Sequence, residues 1–583
     1  MAEILFIVPT EEKDIRQEIN GTLLLASILL KAGFDAQVLR FGQIQSFGGE
    51  YPAFIRDMTA RILEENPRCI SFYGLWPSYH IMLRIAREVK ALRPDILTVF
   101  GGPQASATAE ATMAGMPFVD CLCTGEGEQT VVPFFTALLR QEGRGLENVP
   151  GVYFRRGGEV CRCAAENPLC ALDALPHWDE RLYQEGWIPK NGASDTFYMP
   201  LEAGRGCPYS CTFCCTSNFW RRTYRLKSPG RILEDMRRMN QRFGIHSFSF
   251  SHDAFTVDQD RVSQVCDRIL EEMPEARWSC ATRMDCISKD LILKMKRSGM
   301  NAIEAGVETG SPRMQKVIRK NLDLNKVREM VEFMLKSGLR VDLFFMYGFP
   351  EETEEDLRQT LDMIFEMLDR GVQGVAFSFC SFAPATAMTE KYYDRLVFEP
   401  EMRIQFRHFY GDEQDVEMIR QNKAVFPMYY DLPTPLRREY QYLRYLPDLY
   451  GRLRRSMKLL RQYYGDDLRM YRDFETYNRQ LLEQGIAAVE AVLRKAPLTL
   501  AENMLRGLEP ELARRFLGLM RFEQDLNLLR RAREDQQIRR VYEFNYIDFS
   551  QKKPVADYHP GSTEILLSRT GGKLDLQVLR FLL

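Results

Sequence analysis

Arg205-Gly206-Cys207-Pro208-Tyr209-Ser210-Cys211-Thr212-Phe213-Cys214 sets three cysteines at C-x3-C-x2-C spacing behind a short apolar run. Three thiolates on so short a loop suit three corners of a [4Fe–4S] cluster. No fourth cysteine at cluster spacing need close the set, which leaves one iron open to a small molecule. An open iron implies chemistry, whereas four thiolates would suggest plain electron transfer. A zinc knuckle is the competing reading, but zinc sites favour paired Cys/His spacings. Cys215 is not expected to be a ligand, because the loop would have to reverse to present both neighbours to one cluster.

Around this loop the chain alternates strand and helix patterns. Six strands are predicted from Phe197 onward, at Phe197–Ala203, His246–Ser251, Arg277–Ala281, Ala302–Val307, Arg340–Met346 and Gly374–Phe379, with helical patterns such as Ser228–Phe243 and Leu324–Ser337 between them. In repeated βα units catalytic groups lie at the C-terminal ends of the strands, and the cysteine loop follows the first one. Upstream, Glu3–Val8, Ala36–Phe41, Cys69–Leu75, Ile96–Phe100 and Val119–Thr124 read as five strands of a doubly wound parallel sheet. Ligands of such sheets sit over the carboxyl ends of the strands. Here those ends carry Pro9-Thr10, Leu75-Trp76-Pro77-Ser78, Gly101-Gly102-Pro103 and Gly125-Glu126-Gly127-Glu128. Glycine there lets a large ligand approach the backbone. No G-x-G-x-x-G follows the first strand, which argues against a dinucleotide.

Composition sets the outer limits. At 583 residues the chain has room for three or four domains, and 45% hydrophobic with 27% charged residues is the balance of a soluble globular protein. A net charge of −2 offers no basic field for nucleic acid or an anionic membrane. Without a signal pattern or an apolar run of membrane-spanning length, the chain is expected to be cytoplasmic. Fourteen cysteines are too dilute for a disulfide scaffold. Cys161, Cys163 and Cys170 lack a partner at ligand spacing and are read as incidental thiols.

The cysteine loop, with Phe213 before its third cysteine and its Arg-Gly lead-in, resembles the signature of the radical S-adenosylmethionine (SAM) enzymes. The upstream domain, with its Gly-Gly-Pro and Gly-Glu-Gly-Glu turns, looks like the cobalamin-binding domain of that superfamily. Together they resemble the cobalamin-dependent radical SAM methyltransferases over roughly the first two-thirds of the chain. The chain's own patterns give a connector over 146–195 and a mainly α-helical domain over 396–583, expected to face the substrate, in an α/β chain of four parts, and the resemblance implies that the other two are a Rossmann-like cobalamin domain over 1–145 and a partial (β/α)6 barrel over 196–395. It implies that Cys207, Cys211 and Cys214 hold the cluster and that the open iron chelates SAM. Gly306-Val307-Glu308-Thr309-Gly310-Ser311 matches a stretch whose carboxylate, here Glu308, contacts the SAM ribose. Met346-Tyr347-Gly348-Phe349-Pro350 matches the turn that meets adenine, and Arg283 is a candidate for the SAM carboxylate. His252 and Asp253, ending the second barrel strand, are candidates for taking a substrate proton. Trp76 is the candidate for packing beneath the corrin. The D-x-H-x-x-G motif that gives cobalt a histidine is absent.

The implied reaction moves a methyl group from SAM through cobalamin to an unactivated carbon, after a 5′-deoxyadenosyl radical has taken hydrogen from it. Ring contraction or cyclisation, polar methyl transfer, and a cobalamin sensor are the alternatives. A small-molecule or peptide substrate, a reductant such as flavodoxin or ferredoxin, and a monomeric state are expected. In the last domain, Leu436–Tyr471 is rich in tyrosine, and Leu526, Leu529 and Ile538 suggest amphipathic helices. Thr563–Leu567 and Leu574–Leu579 read as closing strands. Tyr440, Tyr442, Tyr445, Tyr450, Tyr463 and Tyr464 suit either a sizeable apolar ligand or a core. Arginine pairs, among them 437–438 and 539–540, read as solvated helix faces.

Overall fold

Ile4–Val8 (β1), Ala36–Arg40 (β2), Cys69–Tyr73 (β3), Leu97–Gly101 (β4) and Cys121–Cys123 (β5) form the predicted parallel sheet, ordered β2-β1-β3-β4-β5. This is a computed structural model, and it describes residues 2–8, 15–40, 50–75, 78–182, 198–399, 411–532, 535–570 and 573–582. Every residue of β1 is buried, as expected for a strand covered on both faces by helices. Those helices include Ile15–Lys31 (α1), Tyr51–Glu65 (α2) and Tyr79–Leu92 (α3). Val152–Arg156 (β6) and Glu159–Arg162 (β7) form the expected hairpin, but it is not part of a free connector. It pairs antiparallel with β5 and extends the sheet to seven strands, so this unit runs to Arg162 rather than to 145. Covering the β5 edge is the physical reason, and Arg155 secures the hairpin by donating to the carbonyls of Met113, Met116 and Val119.

The second sheet consists of Met199–Glu202 (β8), Ser247–Ser251 (β11), Arg277–Thr282 (β12), Met300–Glu308 (β13), Arg340–Tyr347 (β14) and Gly374–Phe379 (β15). All its pairings are parallel, in the order β8-β11-β12-β13-β14-β15, and among the described residues β8 and β15 remain its two edges. Between β8 and β11 runs a two-stranded antiparallel ribbon of Gly204–Arg205 (β9) and Arg225–Leu226 (β10), which brackets the cysteine loop. Alternation along the strands divides their side chains. Ile303, Ala305, Val307, Val341, Leu343, Phe345 and Tyr347 are buried in one core with the surrounding helices. Glu304, Gly306, Glu308, Phe344 and Met346 fall on the other face. Local signals set the helices: Ser228, Ser288, Asp323 and Thr353 cap helix starts through their side chains, and Gly244 and Gly371 end helices in the left-handed conformation.

The region after the barrel contains helices Tyr445–Arg452, Arg454–Tyr464, Asp467–Leu482, Ile486–Lys495, Pro497–Met504 and Pro510–Arg531. Their buried faces are continuous with the barrel core. Of the six tyrosines singled out, only Tyr463 is exposed; Tyr450 packs on Phe365 and donates to Asp369, so this aromatic set is core. One expectation fails here. Residues 536–542 are a strand (β16), not a helix, in an antiparallel sheet with Ser562–Thr570 (β17) and Lys573–Leu582 (β18). Ile538, Val541 and Tyr542 are strand-favouring residues, and Arg539 with Arg580 brackets Glu564 across the sheet.

A separate core joins the first sheet to the segment that follows β15. Tyr79, Ile81 and Phe100 share it with Phe382, Met388, Met418, Phe426 and Tyr429. Arg84 pairs with Asp412 and Asp415, and the Gln104 amide donates to the Val425 carbonyl. No helix among the described residues is long and apolar enough to cross a membrane.

Candidate functional site

The cysteine loop leaves β9 through Gly206, whose φ is +90° and where a Cβ would stand 2.1 Å from the Thr223 carbonyl oxygen. Only glycine fits there. Two main-chain bonds fix the middle of the loop: Thr212 N–H donates to the Ile318 carbonyl at 3.0 Å, and Met388 N–H donates to the Thr212 carbonyl at 2.9 Å. Phe213 packs edge-on against Phe349 of the turn after β14, 5.9 Å between centroids. Cys207, Cys211, Cys214 and Cys215 are all partly exposed.

The thiols fit a cluster better than a single ion. Among the described residues, the set of ligand atoms gathered within 4.8 Å of one another is that of Glu126, Glu128 and Cys170, so the three loop sulfurs stand wider apart than one small ion would hold them. Burial pushes the Cys207 thiol up to about 11, and raises Cys211 against the opposing pull of Lys320 and Arg283. Such partly buried thiols gain most from a cationic group that takes them as thiolates. Cys215 is likewise pushed up to about 11 by burial.

Beside the loop, at the end of β13, Glu308 adopts φ +70°, unusual for a residue with a side chain, at a bulge in the β13–β14 pairing. Its carboxylate meets Lys320 Nζ at 2.6 Å, and both side chains are nearly buried. Gly306 makes this pair possible: a Cβ there would lie 2.1 Å from the Glu308 carboxylate and 2.6 Å from Lys320 Nζ. Lys320 was not legible in the sequence, since nothing in Arg319-Lys320-Asn321 announces the two left-handed residues that turn it inward.

Arg283 is not the free cation expected for a ligand carboxylate. It binds Asp285 at 3.0 and 2.9 Å, donates to the Lys320 carbonyl at 2.8 Å, and stacks 3.7 Å over the Tyr209 ring. It thereby ties the Lys320 loop to the cysteine loop. Tyr347 also departs from expectation: its ring is fully buried against Phe377, and its hydroxyl donates to the Gln441 carbonyl. Of this turn's expected contacts, the half-buried side chain of Met346 is left for a ligand, since both polar groups of the Gly348 backbone are engaged within the protein. Arg437, expected on a solvated face, is buried. It pairs with Asp431 and donates to the carbonyls of Gly348 and Cys380, bracing the ends of β14 and β15. Glu352 accepts the Gly348 N–H, and its burial pushes the carboxyl up to about 8.

His252 and Asp253 part company. The His252 ring lies in packing, 4.8 Å from the Tyr224 ring, with Nδ1 accepting from Ala254 N–H; burial lowers its pKa to about 4. A neutral, enclosed imidazole is a core residue and a poor proton acceptor. Asp253 is exposed beside the loop, where the Gly206 backbone and the Thr216 side chain face its carboxylate.

At the first sheet, Gly74 N–H donates to the Gly101 carbonyl at 2.6 Å, and Gln104 N–H to the Gly74 carbonyl at 3.0 Å. Gly102, at φ +95°, would place a Cβ 3.1 Å from the Gly74 backbone. These interlocked turns, with Pro103 opening the next short helix, keep side chains off the rim, which suits a broad ligand. Leu75 is half-buried there and Ser78 is buried. Pro9, Thr10, Trp76 and Pro77 lie outside the described residues. Gly125 reaches Ser106 through its N–H at 3.0 Å, and Gly127 packs against Leu25. Glu126 turns away from the rim, into contact with Arg205 and Arg225.

Comparison with known families agrees with this geometry. Residues 19–134 match the B12 binding domain and residues 201–364 the radical SAM superfamily. The chain carries a radical SAM domain and a B12-binding domain. These domains imply a [4Fe–4S] cluster, SAM and cobalamin as its cofactors. Relatives include an uncharacterized methyltransferase, PH0819, of Pyrococcus horikoshii, 24% identical over 62% of this chain and 77% of that protein. An anaerobic magnesium-protoporphyrin IX monomethyl ester cyclase of Rubrivivax gelatinosus is 24% identical over 52% of this chain, which spans about half the cyclase, 55%. The hopanoid C-3 methylase of Methylococcus capsulatus is 28% identical over 56% of this chain and 60% of that enzyme. The same fold occurs in the radical SAM methyltransferase TsrM of Kitasatospora setae with cobalamin and [4Fe-4S] cluster bound (TM-score 0.53, 14% identity, 73% of this chain and 85% of that one). It occurs also in the cobalamin-dependent radical enzyme OxsB (TM-score 0.56, 15% identity, 90% and 80%).

Proposed function

We propose that this protein is a C-methyltransferase that carries a methyl group from SAM by way of cobalamin to an unactivated carbon of a small-molecule or peptide substrate. The observation that carries the reading is the contact of Arg205, two residues before Cys207, with Glu126 and Glu128 in the turn after β5. It sets the cysteine loop beside the rim of the first sheet. When bound, cobalamin supplies a methyl carrier, and SAM at the cluster supplies a hydrogen-abstracting radical.

The chain's own residues bind and orient. Cys207, Cys211 and Cys214 would hold three irons; Glu308, held in place by Lys320, would accept hydrogen bonds from the ribose hydroxyls; and Met346 would meet the adenine. The interlocked Gly74 and Gly101–Gly102 turns form the flat cobalamin seat, with Leu75 and Ser78 beside it. Asp253 is the residue placed to hold a proton next to the loop. Methyltransferases and a methylase among the relatives support methyl transfer, while the cyclases keep a non-methylating reaction as the second reading.

Protein reconstituted without oxygen, supplied with SAM and a one-electron reductant such as reduced flavodoxin, tests this. Panels of candidate substrates are assayed together for S-adenosylhomocysteine and 5′-deoxyadenosine. Methyl transfer by the radical route gives both with a methylated product. 5′-Deoxyadenosine alone points to rearrangement or cyclisation, and S-adenosylhomocysteine alone to a polar route.

A further inference from the structure

The Gly125-Glu126-Gly127-Glu128 turn is built into an ion lattice that no cofactor explains. The side chains of Arg205, Glu126 and Glu128 are 5%, 2% and 7% exposed. Arg205 reaches Glu128 at 2.6 Å, Glu126 at 3.4 Å and Glu202 at 2.8 Å. Arg225, its direct partner across the β9–β10 ribbon, pairs with Glu126 and donates to the Cys170 carbonyl at 2.8 Å. Cys170 N–H donates to Glu126 at 2.8 Å, and Trp220 lies beneath both guanidinium groups at 5.5 and 5.8 Å. With Lys227, 3.8 Å from Glu202, three cations therefore stand among three carboxylates, and the carboxylates come from both sheets.

We propose that Glu126, Glu128 and Arg205 form a strut that seats the cysteine loop against the first sheet, making them positioning residues for the cluster and not corrin contacts. Three points favour this. Both carboxylates of the turn are spent on guanidinium groups of the ribbon that brackets the loop. Arg205 has a planar fork with donors in fixed directions, suited to bridging separate carboxylates. Gly206 follows it in a conformation that leaves the chain no freedom to take up slack. Breaking one member of such a buried set leaves charge uncompensated, so the loop must shift or hydrate.

The inference rests on the cysteine loop holding a cluster, and the experiment separates the two. Parent, Glu128→Gln and Glu126→Gln proteins are reconstituted without oxygen. Iron, bound cobalamin, the reduced-cluster electron paramagnetic resonance signal and the cluster midpoint potential are measured in each. Glu128→Gln keeps the shape of the turn and the Glu126–Arg225 pair, which guards against a folding failure. The expected result is retained cobalamin, retained or modestly reduced iron, an altered resonance signal, and a potential shifted to more positive values, because Arg205 loses a compensating negative charge. Arg205→Lys, which keeps the charge but not the fork, should alter the signal with a smaller shift in potential. Loss of cobalamin with signal and potential unchanged would overturn the strut and return the turn to the corrin. Variants identical to the parent in every measurement would overturn it too. A parent that takes up no iron would instead refute the reading of the loop.

Discussion

Replacing Glu308 by Gln keeps the side chain's shape and removes its charge. In the parent, Glu308 and Lys320 Nζ lie 2.6 Å apart in near-complete burial. Neutralising one partner of a buried pair costs about 3–5 kcal/mol, a penalty borne by the free protein as well as by its complex. The hydrogen bonds from the ribose hydroxyls are a separate matter: the amide keeps one acceptor oxygen, so one bond to a charged acceptor is lost, worth about 1.5–3 kcal/mol and felt only when SAM binds. At about 1.4 kcal/mol per tenfold, SAM affinity should fall roughly 10- to 150-fold. Lys320→Met should also weaken SAM, because Glu308 loses the partner that holds its carboxylate in place. The double variant Glu308→Gln/Lys320→Met removes the uncompensated charge, so it should regain much of the unfolding midpoint lost by either single change while still binding SAM poorly. Equilibrium dialysis of labelled SAM against anaerobically reconstituted protein, with urea unfolding of the same samples, measures both effects. Affinity of Glu308→Gln within about threefold of the parent would refute the ribose assignment, and additive losses of stability in the double variant would refute the coupling of the pair.

Three further outcomes are expected. The Glu352 carboxyl, pushed up to about 8 by burial, keeps its proton in the folded protein when the unfolded chain has lost it. Its contribution is complete below the ordinary glutamate range and is lost as pH rises toward 8. Glu352→Gln should therefore flatten the fall in urea midpoint between about pH 5 and pH 8 and be the more stable form at the upper end; a steeper fall would contradict this. Alanine at Cys207, Cys211 or Cys214 should abolish iron uptake, while Cys215→Ala should bind iron like the parent, as measured by iron and sulfide content. His252→Phe should leave the pH dependence of SAM cleavage unaltered, whereas Asp253→Asn should displace it; the reverse pattern in pH–rate profiles would restore His252 as the proton carrier.

The sequence was most informative where a single chemical demand dominates. C-x3-C-x2-C needs only spacing, and the strands of both sheets are apolar runs whose register follows from burial. Glu308 was legible because Gly306-Val307-Glu308-Thr309-Gly310-Ser311 resembles a SAM-contacting stretch of the radical SAM enzymes. Lys320 and Arg437 were not, because each acquires its role from a distant partner: a carboxylate twelve residues upstream for Lys320, and carbonyls at Gly348 and Cys380 for Arg437. The same reason misplaced Glu126. A Gly-Glu-Gly-Glu turn at a sheet rim reads as a ligand contact until the arginines that claim its carboxylates are seen. His252 was misjudged because a histidine in a strand-end motif carries no mark of the direction its ring takes. For 536–542, apolar spacing alone could not separate a strand from the end of a long helix.

The core shared by α3, β4 and the segment from Phe382 to Tyr429 bears on how such proteins can be recombined. A graft that exchanged only the first 162 residues for those of a relative would set a foreign surface against Phe426 and Tyr429, and would sever Arg84 from Asp412 and Asp415. The modular unit in this architecture is discontinuous: the amino-terminal sheet travels with a stretch some 220 residues away from it in the sequence. Chimeras that move both pieces together should fold, and those that respect only the linear boundary should expose two apolar faces and aggregate.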